Sequence, residues 1–183
     1  MNVQQKLSYR VALGGIVSSF CLLSMFLTGV FPLLYLVLPM IAGVLLLIVV
    51  METGIEWGWV TYCAVGLLSL FVTYDKEASL IFIMFFGSYP LIKYYLKKIK
   101  AKPVQLILKL LLFNLSMICY FYLNTYFFGV QELLEELQDY GKHAGKIMLI
   151  LLNPFFLMYD GSLDGLCEIY TRILKPRITG RSI

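Results

Sequence analysis

The stretch KYYLKKIKAK, residues 93–102, places five lysines within ten residues and lies between two long apolar runs. The five are Lys93, Lys97, Lys98, Lys100 and Lys102. Lysine-rich connectors between apolar helices stay on the cytoplasmic side when a chain inserts into a membrane. The stretch therefore predicts a helical membrane protein, and it predicts which side of the membrane this connector occupies.

The composition agrees with a membrane location. Of the 183 residues, 60% are hydrophobic and only 14% are charged, which leaves too little polar surface for a water-soluble globule. The net charge of +4 does not indicate a nucleic-acid partner, because the basic residues lie beside apolar runs. The four cysteines contain no C-x-x-C pair, so neither a disulfide nor a zinc site is expected.

Six apolar stretches predict the architecture. We expect an all-α polytopic protein with six transmembrane helices in a single integral membrane domain covering 1–183, because stretches of about 20 residues can cross the ~30 Å hydrocarbon core. The predicted spans are 11–31, 33–51, 55–74, 78–96, 104–128 and 147–166. The segment 131–140 combines acidic residues with leucines at helical spacing, which predicts a short amphipathic helix on the outer surface.

The distribution of basic residues predicts the orientation. With both termini in the cytoplasm, twelve Lys and Arg residues face inward, including those of a basic tail at 172–183. Only Lys76, Lys142 and Lys146 face outward. We therefore expect a multi-pass protein of the cell membrane with both termini in the cytoplasm.

Motifs for catalysis are scarce. The chain has one histidine, His143, and neither a P-loop nor a G-x-S-x-G motif, so we expect no enzymatic activity, no cofactor and no metal. Asp160, Asp164 and Glu168 follow at intervals of four and share one helical face, with Arg172 one turn beyond. A membrane enzyme that uses this acidic stripe is the weakest alternative, since the sequence favours a polar stripe where the helix leaves the membrane.

Two charges are predicted within the spans at a similar depth. Lys109 lies about six residues into the fifth span, and Asp160 lies about six residues from the end of the sixth. Because an isolated charge in hydrocarbon is unfavourable, we hypothesise a structural ion pair between them. The alternative is that each side chain reaches the interface separately.

A second polar group lies toward the outer half of the fifth span. Tyr120, Asn124 and Tyr126 would line a polar pocket beneath the predicted amphipathic helix, and they are the candidate ligand-binding residues for a small-molecule solute. The alternative is hydrogen bonding between helices, which contributes about 0.6–2 kcal/mol per contact in membranes.

Small residues form two overlapping patterns on the first span. Gly14 with Ser18, and Gly15 with Ser19, are each spaced four apart, which allows close approach of another helix. They are the candidate docking residues. The helix that docks there belongs either to this chain or to a separate protein.

These features resemble the substrate-binding S components of bacterial energy-coupling factor transporters. The shared features are the length, six short spans, a basic N-terminus and small residues four apart on the first span, with Gly and Ser where the family has alanine. The resemblance implies docking of the first helix onto a membrane coupling protein, partner ATPases that supply energy, and a solute bound near the outer side. Three segments, 86–90, 109–114 and 159–160, also resemble a group of uncharacterised bacterial membrane proteins of similar topology.

The leading expectation is thus a non-enzymatic membrane subunit that captures a solute and transports it inward. The alternative is a membrane scaffold or regulatory protein, whose basic connector and tail recruit a cytoplasmic protein or anionic lipids.

Overall fold

The structure is a computed structural model that describes residues 3–128 and 144–174. Every regular element in these two ranges is helical, which confirms the all-α prediction. The chain divides into two compact units, Met1–Leu134 and Glu135–Ile183. The predicted amphipathic helix at 131–140 and the tail beyond residue 174 lie outside the described residues.

The first unit contains six α-helices and the second contains one, counted over the described residues. In the first unit they are α1 (Val3–Leu27), α2 (Val37–Thr53), α3 (Ile55–Val72), α4 (Lys76–Ile81), α5 (Tyr89–Leu96) and α6 (Lys102–Phe128). In the second unit α7 covers Ala144–Ile169. A 3₁₀ turn at Pro32–Leu34 precedes α2, and π-helical segments follow α4 at Phe82–Phe86 and α7 at Tyr170–Leu174.

Four helical stretches among the described residues are long and apolar enough to cross a membrane. They are Gln4–Leu27, Ile55–Val72, Lys76–Leu96 and Lys102–Tyr126. The third of these joins α4, the π-helical segment and α5. Helix α2 is apolar as well but has only 17 residues. Helices suit this composition because lipid offers no hydrogen bonds, so each backbone group must be satisfied within its own segment.

The core of the first unit is formed by α1, α2 and α3 with the start of the kinked helix. Buried side chains recur three to four residues apart on each long helix, as expected for one face of an α-helix. They are Val17, Cys21 and Met25 on α1, Ala42, Leu46 and Val49 on α2, Val65 on α3, and Ala78 and Phe82 beyond it. The Cys21 thiol also donates to the Ala42 carbonyl at 3.3 Å, which joins α1 to α2.

A single residue connects α2 to α3. Gly54 has φ +100°, a conformation that residues with a side chain rarely adopt. Its N–H donates to the Val50 carbonyl at the end of α2, and its carbonyl accepts from the Gly58 N–H at the start of α3. Gly54 thus takes part in the backbone bonding of both helices, and no loop separates them.

The helix of Lys76–Leu96 is kinked by its FGSYP motif, residues 86–90. The Gly87 N–H donates to the Phe82 carbonyl five residues back at 2.7 Å, which is a π-helical bond. A Cβ at Gly87 would lie 2.8 Å from both Phe82 and Tyr62, so only glycine fits there. The Tyr62 hydroxyl of α3 donates to the Ile83 carbonyl at 2.7 Å, which supplies a partner inside the widened turn.

Short connections make α1, α2, α3, the stretch Lys76–Leu96 and α6 alternate in direction, so the first unit has two distinct ends. At the basic end, the start of α1 approaches the end of α2, where the Tyr9 hydroxyl donates to Glu52 at 3.4 Å. The connector 97–102 follows α5 at this end. At the acidic end, the connection 28–36 meets the turn 73–77, and a Cβ at Gly29 would lie 2.7 Å from that of Tyr74. The last turns of α6 also belong to the acidic end.

Candidate functional site

The turn 73–77 lies at the acidic end, and its charged residues bind backbone groups at the end of α3 and at the start of α4. Asp75 is the N-cap of α4, and its Oδ1 accepts from the N–H groups of Glu77 at 3.0 Å and Ala78 at 3.3 Å. The Lys76 ammonium donates to the carbonyls of Leu70 at 2.7 Å and Thr73 at 2.8 Å, at the negative end of α3. The charges of Asp75 and Lys76 are therefore fixed in place by bonds to the backbone.

Two tyrosines from other elements lie within electrostatic range of these carboxylates. Tyr120 of α6 lies within range of the charges of Glu77 and Asp75 and near the Tyr35 hydroxyl, and α6 packs against α4, the helix that follows the turn. Tyr35 lies just before α2, where partial burial raises the pKa of its hydroxyl, and the charges of Glu77 and Asp75 raise it further. Segments distant in sequence thus meet in one group, which we call the acidic-end cluster: Tyr35, Asp75, Glu77, Tyr120 and Asn124.

Asn124 belongs to the cluster because it lies one turn beyond Tyr120 on the same face of α6. Its side chain is only 3% exposed, and its Oδ1 has no hydrogen-bond partner among the described residues. The Thr73 hydroxyl is 1% exposed and equally lacks a partner within that part of the chain. A buried polar atom without a partner costs about 1–3 kcal/mol, so such atoms are uncommon in folded proteins.

The three predicted ligand residues do not share one environment. Tyr120 and Asn124 are buried at 7% and 3% exposure, whereas Tyr126 is 76% exposed. The difference follows from the helix, because a step of two residues turns a side chain about 200° away. Tyr126 therefore lies outside the cluster.

Sequence reasoning missed Tyr35, Thr73 and the two carboxylates. The only signal was the polar turn Asp75-Lys76-Glu77, which indicates a connection between spans but not what lies opposite it. The approach of Tyr35 and Tyr120 to that turn depends on helix packing, which periodicity does not specify.

The small-residue patterns on α1 separate into an inward and an outward pair. Gly14 is buried, and a Cβ there would lie 3.4 Å from the Thr61 hydroxyl of α3. Gly15 has open space around it, and Ser19 is exposed, with its hydroxyl donating to the Gly15 carbonyl at 2.9 Å. Ser18 is half-buried. Gly14 thus serves packing within the unit, while Gly15 and Ser19 remain accessible.

The Lys109–Asp160 ion pair remains a prediction. Lys109 lies on α6 in the first unit, and Asp160 lies on α7 in the second. Exchange of the two charges should restore expression that either single reversal removes.

The acidic stripe of α7 forms a local ion pair. Asp160, Asp164 and Glu168 share one face of a continuous helix, and Glu168 pairs with Arg172 at 2.9 Å. Within residues 3–128 and 144–174, no three His, Cys, Asp or Glu side chains are grouped so that they could hold a metal ion.

Comparisons with known proteins add no assignment. No family model, no curated protein and no solved structure matches this chain. The site therefore has to be interpreted from its own residues.

Proposed function

We propose that this chain is a non-enzymatic integral membrane protein that captures a small solute at the acidic-end cluster. The proposal includes six spans with both termini in the cytoplasm, so that the cluster opens outward. The observation that supports it best is the buried, unpartnered Oδ1 of Asn124 beside Tyr120. A solute that donates a hydrogen bond to this oxygen would offset the cost of leaving it unpaired.

Retention of the solute tests the proposal. Protein purified from its natural host in mild detergent should carry an additional small mass in native mass spectrometry. Asn124→Leu should lose that mass because the accepting oxygen is gone.

Asn114→Leu is the matched control for this experiment. It makes the same change on the same helix, at a residue whose amide already donates to the Leu110 carbonyl at 2.8 Å. The control should keep the solute. Equal retention by wild type and Asn124→Leu would contradict a role for the cluster.

Transport in this proposal draws its energy from partner ATPases, through a membrane coupling protein that docks on α1 at Gly15 and Ser19. The open space around Gly15 supports this, since a helix needs a bare surface for close approach. Gly15→Leu should abolish copurification of such partners and leave the fold intact. Leu67→Phe, a bulky change on the exposed face of α3, should have no effect.

The basic end favours a second candidate, a membrane scaffold that recruits a cytoplasmic protein or anionic lipids. Lys97, Lys98 and Lys100 are exposed there. Purified protein that carries another protein or anionic lipid but no solute would favour the scaffold over capture.

A further inference from the structure

The acidic-end cluster contains more negative than positive charge. The turn carries Asp75 and Glu77 against the single Lys76. The Lys76 ammonium is bound by two carbonyls of α3. Among the described residues, no ion pair joins either carboxylate to a lysine or arginine side chain. A ligand that enters the cluster therefore meets a net negative field.

The unpartnered atoms also select for hydrogen-bond donors. An amide oxygen can only accept, so a ligand that binds the Asn124 Oδ1 has to offer an N–H or O–H donor. The Thr73 hydroxyl, two residues before Asp75, can also accept. The tyrosines add ring faces, which attract cations through their quadrupole.

We propose that the solute is a small organic cation with several N–H donors, a protonated amine, amidine or guanidinium compound. Asn124 accepts a hydrogen bond from the cationic group, and Asp75 and Glu77 balance its charge. This inference rests on the proposed function, because it names the class of solute that the cluster captures.

The experiment measures the charge of the retained solute. The solute is released from the purified full-length protein and its mass is measured. Electrophoresis at neutral pH then gives the net charge of the solute. The double variant Asp75→Asn and Glu77→Gln removes both carboxylates but keeps the cap, because asparagine is as good an N-cap as aspartate. Glu56→Gln, an exposed carboxylate at the other end of the unit, is the control.

A retained cation, with occupancy at least tenfold lower in the double variant and unchanged in Glu56→Gln, is the expected result. A retained anion or uncharged molecule would overturn the choice of solute and leave solute capture standing, as would a cation that the double variant retains equally. Wild-type protein that carries no small molecule would overturn both. A thermal unfolding scan of the double variant verifies that it is folded.

Discussion

The two ends of the first unit satisfy their polar groups in opposite ways. At the basic end, Lys93 is buried but the following lysines Lys97, Lys98 and Lys100 are exposed. Lys98 lies 4.8 Å from the ring centre of Tyr94 and 5.4 Å from that of Tyr95. At the acidic end, Asn124 and Thr73 are buried with oxygens that lack a partner in the described chain. Exposed charges serve orientation at little energetic cost, whereas buried unpaired oxygens reduce stability. The comparison supports the proposal that a solute binds at the acidic end.

Labelling from outside intact cells should give the largest difference between the two ends. With the native cysteines replaced, Tyr74→Cys should react with an impermeant thiol reagent because this position is 86% exposed at the acidic end. Ala101→Cys, in the lysine connector, should react only after the cells are opened. Labelling of Ala101→Cys on intact cells would contradict the proposed orientation and place the lysine connector outside.

Asn124→Leu should stabilise the solute-free protein by about 1–3 kcal/mol, the cost of a buried polar atom without a partner. Unfolding in a mixed-micelle titration measures the free-energy difference. If Asn124 instead held helices together through hydrogen bonds, the same variant would be less stable than wild type. Asn114→Leu, which loses a hydrogen bond to the Leu110 carbonyl, is expected to show no such gain.

Tyr35 should report the charge of the acidic end. Its pKa is raised above 10.0 by burial first and then by Glu77 and Asp75. The double variant Asp75→Asn and Glu77→Gln should lower that pKa only in part, because burial remains. Tyrosine ring NMR, with the Tyr35 signal assigned from Tyr35→Phe, measures the change.

The raised pKa of Tyr35 also predicts how the stability of the protein changes with pH. The folded protein keeps the Tyr35 proton to higher pH than the unfolded chain, so this contribution is complete below the unfolded value near pH 10 and is lost as the pH rises through the folded pKa. An unfolding series across this range should show a smaller loss for Tyr35→Phe than for wild type. An equal loss in both proteins would exclude the contribution.

Lys98→Gln should have the smallest effect, a loss of about 0.5–1 kcal/mol, typical of a cation above exposed aromatic rings. Lys100→Gln removes an equally exposed charge of the connector and is the control. Equal stability of the two variants in the mixed-micelle titration would show that the ring contacts of Lys98 contribute nothing.

The fold class could be predicted from the sequence, since long apolar runs leave helices as the simplest way to satisfy the backbone in lipid. The burial of Asn124 beside Tyr120 was also within reach, because a polar amide in an apolar run indicates an inward face. The kink at Gly87 was not, because it depends on the approach of Tyr62 from α3. Tyr35 could not be assigned to the site either, because 85 residues separate it from Tyr120 and only packing brings them together.

The one-residue link at Gly54 has a consequence for biosynthesis. Neither Thr53 nor Ile55 lies outside a helix, so no polar tether exists that would let α2 settle in lipid while α3 is still being made. In the proposed topology we therefore expect the two helices to enter the bilayer together, as a hairpin. A residue with a side chain at position 54 would strain the link because φ is +100° there, and we expect the first sign to be slow maturation of the nascent chain.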